Sequence, residues 1–421
     1  MKKEIVRERP FEYLKRKDTN EPFPEEIVSN WYIARAYVLD RLKDVLFVPG
    51  SGGHLHAVVR GDSPLLLAVV RQLALSAHYL NFEEYDLLDR LVCRNRTVIT
   101  LVTQKEAAEI LEELEREEYL GNLLKYAKYT VFGKVENADS YLDIEFEIVR
   151  ELPVGTEAVE ITEEEVQAFV ESGSSDEIFS IDTRKAVFAS RVYCLGAVID
   201  NLPYEDVHSP GRYSRALDTF RYKVLEDKKE LELVTPKWKD LTVVKNGLSN
   251  VFCTDCFESR DRAISQLYPG NRKMTDKERN SIWEKNNAAL SLSEHCRWVA
   301  EKLIMGFKPL SLQERTEYES LFGKKRAAFS KQLKNASAHP AHIDICSYRD
   351  LCRVDPDSLK YDSFLMLAIP LILDKVRAQL RAQHPPTRRP MEASAFYLNN
   401  SCANVFRYRR QLDQTWPPSE T

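Results

Sequence analysis

The sequence predicts an α/β protein: a mostly parallel sheet with helices in its N-terminal part, then a mainly helical C-terminal part. Two observations lead there. Between residues 54 and 149, short β-branched runs alternate with longer amphipathic stretches, and turn-forming residues stand at the junctions. From Thr275 to about Asp374, helical spacing dominates, with one loop-rich interval around Ala336 to Cys346.

The elements follow in order. Trp31 to Leu46 has helical apolar spacing and leads into a β-rich run, Val45 to Val48, which Pro49-Gly50-Ser51-Gly52-Gly53 breaks. A strand at His54 to Arg60 ends in Gly61-Asp62-Ser63-Pro64 and passes into the helix LLLAVVRQLALSAHYL. Asp62 or Ser63 suits its N-cap and Pro64 its first turn. Thr97 to Val102 reads as a second strand and Tyr129 to Phe132 as a third, separated by a strongly helical stretch, with more strand-like text at Tyr141 to Val149. The acidic text from Glu151 to Ser180 holds a short helix, Glu163 to Glu171, and is expected to act as a lid or hinge. Arg184 to Ile199 is helical, Leu241 to Val244 strand-like and Leu248 to Leu267 helical. Thr275-Asp276-Lys277-Glu278 has the form of a capping box, so a new helical domain starts there. The expected division is an N-terminal extension (1–29), an α/β domain (30–270), a helical domain (275–375) and a weakly structured tail (376–421).

Composition narrows the function. The chain has 421 residues, 43% hydrophobic and 30% charged, which excludes disordered and collagen-like classes. Lys plus Arg is 60 against 65 Asp plus Glu, a net charge of −5, so there is no strong nucleic-acid signal and an anionic ligand needs a local cationic cluster. The charged N-terminus MKKEIVRERP is not a secretory signal, and the longest uncharged apolar run, Phe364 to Leu373, falls short of the roughly 20 residues that span a bilayer. Eight scattered cysteines fit a reducing compartment, and the expected location is the cytoplasm.

The helix LSLSEHCRWVAEKLIMGF brings Glu294, His295, Arg297, Trp298 and Lys302 within two turns, and Gly306-Phe307 stops it. An indole face beside cations suits a planar anion such as a nucleotide. The alternative is a core Trp298 with solvated charges around it. This text, with HIDICSYRDLCRVDPDSLKYDSFLMLAIPLIL after it, resembles the ryanodine-receptor repeat (RyR) family. That family's pattern joins H-x-x-W-x-x-x-K-x-x-x-G-W to H-P-x-L-x-x-Y-x-x-L and a final Y-D or Y-N helix. The first part matches at His295, Trp298, Lys302 and Gly306, with Phe307 for the second Trp; the second matches at His342, Ile345, Tyr348, Leu351, Tyr361 and Asp362, with Ile343 where the family has Pro.

The resemblance covers about 275–375 and implies a ligand sensor, often set beside Rossmann-like domains in bacterial systems that answer nucleotide-derived signals, anti-phage defence included. It implies stacking by Trp298, Phe307 and Tyr361, phosphate or ribose contact by Arg297, Lys302 and His295, and base-edge hydrogen bonds from Asp362 and Tyr348, with His342 in the same pocket. The expected partners are a small nucleotide-derived ligand and a second copy of the chain or an effector protein. No cofactor is assigned.

Arg60-Gly61-Asp62-Ser63 forms a second constellation, a strand-to-helix junction where a Rossmann-like unit would seat a phosphate. It lacks G-x-G-x-x-G, and Asp62 repels phosphate unless it caps the helix. Residues 49–54 read as a phosphate loop or a plain turn. Cys253-x-x-Cys256 has no second ligand pair for zinc, and His54 and His56 lack a third ligand. Without a nucleophile elbow, kinase loop or H-E-x-x-H, the residues argue for binding before reaction. The competing readings are an NAD- or nucleotide-processing enzyme controlled by the RyR domain, and a protein-interaction module anchored on Trp298.

Overall fold

The computed structural model describes residues 7–15, 21–88, 90–116, 120–138, 140–199, 220, 244–336, 340–355 and 358–383. Contacts divide the chain into a unit of residues 3–376 and one of 377–421; in the second, only 377–383, the end of a helix, is described. Residues 241–243 of the strand expected at Leu241 to Val244, and the tail from residue 384, lie outside the described residues.

β1 (Arg7–Glu8) pairs antiparallel with β10 (Ile181–Asp182). Phe11 and Phe23, in the expected extension, are buried, and Phe11 stacks on Phe252 at 6.1 Å. Helix α1 (Glu25–Arg41) begins six residues before the expected start at Trp31, because Pro24 precedes it and Glu25 and Glu26 suit a helix N-terminus. Val45 to Val48 forms no strand; it is a half-buried loop between the end of α1 and the Pro49-Gly50 turn.

β2 (His56–Arg60) leads through Ser63, whose hydroxyl accepts from Leu66 N, into α2 (Pro64–Ser76). Leu66 through Leu75 are all buried, because α2 lies under α1 and against the sheet and so has no solvent face.

The hairpin β3 (Glu83–Leu87) and β4 (Arg90–Arg94) was not expected: Glu83, Asp86, Arg90 and Arg94 are exposed and no residue of either strand is fully buried, so there is no core face to alternate with a solvent face. β5 (Thr97–Val102) follows, then α3 (Ala107–Arg116), α4 (Leu120–Leu124), β6 (Lys128–Val131), β7 (Lys134–Asn137), β8 (Ile144–Val149) and β9 (Val159–Thr162).

The main sheet runs β7-β6-β8-β5-β2-β9, parallel except for β7. It is a mixed α/β arrangement with a mostly parallel sheet. Val159–Thr162, inside the text expected as a lid, is an edge strand paired with β2 from Ala57↔Val159 to Arg60↔Thr162. Its Val and Ile alternate with Glu and Thr over only four residues, too few to read within acidic text.

α5 (Glu163–Ser172) starts on a Thr162–Glu165 capping box and is followed by α6 (Ser175–Ile178) and α7 (Arg184–Ile199). α8 (Val244–Asp255) and α9 (Phe257–Ser265) replace the single helix expected there.

The expected capping box holds: Thr275 and Glu278 open α10 (Asp276–Lys285), and α11 (Asn287–Ile304) follows. Then come β11 (Lys308–Pro309), α12 (Leu312–Ser320), α13 (Gly323–Lys334), β12 (Ala341–His342), α14 (Tyr348–Val354) and α15 (Leu359–Gln383); β11 and β12 pair parallel. One apolar core joins Ile99, Leu101, Ile144 and Phe146 of the sheet to Val299, Ala300, Leu303 and Ile304 of α11. Among the described residues no helix is long and apolar enough to cross a membrane.

Candidate functional site

Helical spacing puts Glu294, Arg297 and Glu301 on one side of α11 and His295, Trp298 and Lys302 on another. The first side faces the interior. Arg297 is 1% exposed and donates to Glu294 from Nη2 (2.7 Å) and Nε (3.0 Å) and to Glu301 from Nη1 (2.7 Å). Arg260 donates to Glu294 at 2.7 Å and to Ser293 Oγ at 3.1 Å, while Ser249 Oγ donates to Glu301 at 3.0 Å. Burial alone raises the pKa of Glu294, but Arg297 and Arg260 outweigh it and hold the carboxyl at about 2. Arg297, expected at a phosphate, is therefore an internal cation with no route to a ligand: two buried carboxylates draw it inward.

The second side carries the candidate site. His295 is buried, its Nε2–H donates to the Cys346 carbonyl at 2.9 Å, and Nδ1 faces Asp362 at 3.7 Å. Burial disfavours the imidazolium, but Asp362 and the Cys346 side chain outweigh it and hold His295 well above the ordinary imidazole range.

Trp298 is half-buried against the core. His342 meets it edge-on at 4.9 Å, and the Lys302 ammonium sits 5.5 Å from the ring centroid while donating to Glu301 at 2.8 Å. His342 Nδ1 accepts from the Asp344 N–H at 3.2 Å, which leaves Nδ1 unprotonated. Burial, with Lys334, Lys302 and His295 nearby, pushes His342 well below the usual imidazole value. Asp344 is pushed up to about 7 by burial and by Asp355, and its Oδ1 has no hydrogen-bond partner among the described residues.

The other expected residues divide. The Tyr348 ring lies 5.6 Å from His295 and joins the cluster. Its N–H, with that of Arg349, is held by Glu84 of the hairpin at 3.2 and 3.1 Å, which docks β3 on the start of α14. Tyr361 stacks instead on Tyr193 of α7 at 4.6 Å. Phe307 packs partly buried against the core, and its carbonyl accepts from Asn122 of α4 at 3.0 Å. Gly306, at φ 77°, makes the left-handed turn that sends the chain there.

Thus the structure gathers His295, Trp298, Lys302, His342, Tyr348 and Asp362, while Arg297 faces the interior, Phe307 packs on the core and Tyr361 stacks on Tyr193. Sequence reading missed Asp344 and Lys334; HIDIC carried a signal for the first, but Lys334 arrives only because α13 packs on β12. Beside them α12, α13 and the end of α14 enclose a cleft of ≈ 500 Å³ lined by Tyr318, Arg326, Ser330, Lys331, Lys334 and Asp355. Arg326 is fixed over the Tyr318 ring at 5.0 Å, whereas Lys331 and Lys334 have no ion pair with a described residue.

No protein-family model, curated protein or solved structure matches this chain. The site therefore stands on its own geometry.

At the second constellation the carboxyl end of β2 lies where strand order reverses, β5 on one side and β9 on the other, the position at which open parallel sheets take ligands. Gly61 is at φ 116°, and a Cβ there would come within 2.9 Å of Leu66. Asp62, however, accepts from the Thr103 hydroxyl and pairs with Lys105 at 3.0 Å, and Arg60 pairs with Glu160 at 2.8 Å. Ser63 caps α2. A carboxylate thus stands beside the helix start, which repels a phosphate.

Residues 49–54 form a turn whose Ser51 and Gly53 carbonyls accept from Asn81 Nδ2 at 3.3 and 2.8 Å, so carbonyl oxygens rather than amides face inward there. Cys253 and Cys256 are buried thiols, and burial pushes Cys256 to about 11. His56 Nε2 meets Thr100 Oγ1 at 2.8 Å. No group of residues able to hold a metal occurs among the described residues.

Proposed function

We propose that the chain is a sensor or effector for a nucleotide-derived second messenger in bacterial anti-phage signalling. In this reading residues 275–375 are a RyR domain, the sheet region is Rossmann-like, and the ligand lies where Trp298, His342 and Lys302 approach the cleft of Lys331 and Lys334. One observation carries it: a half-buried indole with an ammonium over its ring meets His342, which in turn feels the charge of Lys334 in a cleft lined by Lys331, Lys334 and Asp355, where neither lysine is in an ion pair with a described residue. A base stacks on the ring and its phosphates meet the lysines. Arg297 has no part in it.

Ligand entry would alter the packing of α13 on β12, and thereby the arrangement of protomers or of an effector, to the extent that the ligand prefers one arrangement. Calorimetry with cyclic and linear nucleotides tests the reading. Wild type should show saturable binding, at least tenfold weaker in Trp298→Ala and in Lys331→Ala/Lys334→Ala, with the lysine variant melting like wild type. No saturable binding of any nucleotide overturns it.

A further inference from the structure

We propose a second small-molecule site, for an anionic head group on an apolar body, in a cleft of ≈ 410 Å³ between α1, the end of α2 and α9. Its size falls in the range of small-molecule pockets, about 300–1,000 Å³. The floor is apolar: Val38 and Leu42 are buried, Leu39 and Tyr79 half-buried. The walls are cationic in excess, with Arg35, Lys43, Lys185 and Arg262 against the carboxylates of Asp255 and Glu258.

These cations are not equivalent. Arg35 is locked on Asp255 by two hydrogen bonds, one of 2.9 Å, and serves the structure. Lys43 and Arg262 turn instead to Asp40 (2.8 Å) and Asp44 (3.3 Å), exposed partners that do not line the cleft. Solvent-exposed pairs of this kind are weak, so a ligand anion displaces them at little cost. Arg262 Nε is also buried without a hydrogen-bond partner among the described residues, a donor left over in the wall.

His78 lines the same cleft, yet both its ring nitrogens are taken, Nδ1 by Asp143 and Nε2 by the Ala74 carbonyl, each at 2.9 Å. Its side chain is fully buried, so it serves the structure and not the ligand. The ligand class is a carboxylate or phosphate monoester with an aliphatic or aromatic tail. This proposal uses none of the residues invoked at Trp298.

Calorimetry on the full chain with octanoate and with octyl phosphate tests it, with inorganic phosphate and 1-octanol as the arms that carry only the head or only the tail. The expected result is one saturable site for at least one amphiphile, with both controls at least tenfold weaker. Lys43→Glu and Arg262→Gln should weaken that binding at least tenfold while melting within a few degrees of wild type, and Lys331→Ala/Lys334→Ala should leave it unchanged. Absence of saturation, indifference to Lys43→Glu and Arg262→Gln, or loss in the Lys331/Lys334 variant overturns the proposal.

Discussion

Replacing Arg297 by Met separates a ligand contact from an internal support. Arg297 is 1% exposed and bridges two carboxylates, Glu294 at 3% and Glu301 at 0% side-chain exposure. Met keeps the apolar stem and removes the charge, which leaves Glu294 with Arg260 alone and Glu301 with Lys302. Breaking a buried ion pair by removing one partner costs about 3 to 5 kcal/mol. With an unfolding entropy of ~2.1 cal/mol/K per residue, a cooperative unit of this size should melt lower by roughly 4 to 6 °C without any ligand. Differential scanning calorimetry and urea unfolding at pH 7 measure this. Adding Glu301→Gln to Arg297→Met should recover part of the loss, because one uncompensated charge leaves with it. A ligand-free Arg297→Met that melts within a degree of wild type refutes the reasoning and returns Arg297 to the candidate pocket.

Three further outcomes are expected. Asp344 titrates at about 7 in the fold against ~3.9 unfolded, so its burial costs stability increasingly as pH rises between those values; Asp344→Asn should raise the melting temperature at pH 8 and leave it nearly unchanged at pH 4. Glu294, held at about 2, contributes stability that is fully present above the ordinary carboxylate value and lost as pH falls toward 2, whereas His295, held above the imidazole range, contributes stability present below ~6.5 and lost as pH rises through its raised value; melting temperature should decline on both limbs, and Glu294→Gln should flatten the acid one. Glu84→Ala removes the acceptor of two N–H groups at the start of α14 and should cost about 1 to 3 kcal/mol; hydrogen exchange at the Tyr348 and Arg349 amides should speed up.

The elements most legible in sequence were those with strong local chemistry. Thr97–Val102 and Arg184–Ile199 occupy the expected ranges, and Thr275-x-x-Glu278 caps a helix as expected, because β-branching, helical periodicity and reciprocal capping act within a few residues. The hairpin at 83–94 and the edge strand at 159–162 escaped because sheet pairing joins residues far apart in sequence and exposed polar strands carry little periodic signal. The same contrast runs through the candidate site. Spacing alone aligned His295, Trp298 and Lys302 on a helix. Which of α11's charges face inward depends on Arg260, which comes from another helix and sits 2.7 Å from Glu294.

From its residues alone the chain dictates a mixed α/β architecture, several helix starts and a histidine–tryptophan–lysine cluster on one helix, since each depends on neighbours within a turn or two. Tertiary packing decided that Arg297 is structural, that Tyr361 pairs with Tyr193 rather than Trp298, and that Lys334 stands beside His342. The physical reason is that a side chain's charge state and accessibility are set by the groups brought around it, and those groups come from helices and strands that meet only in the folded chain.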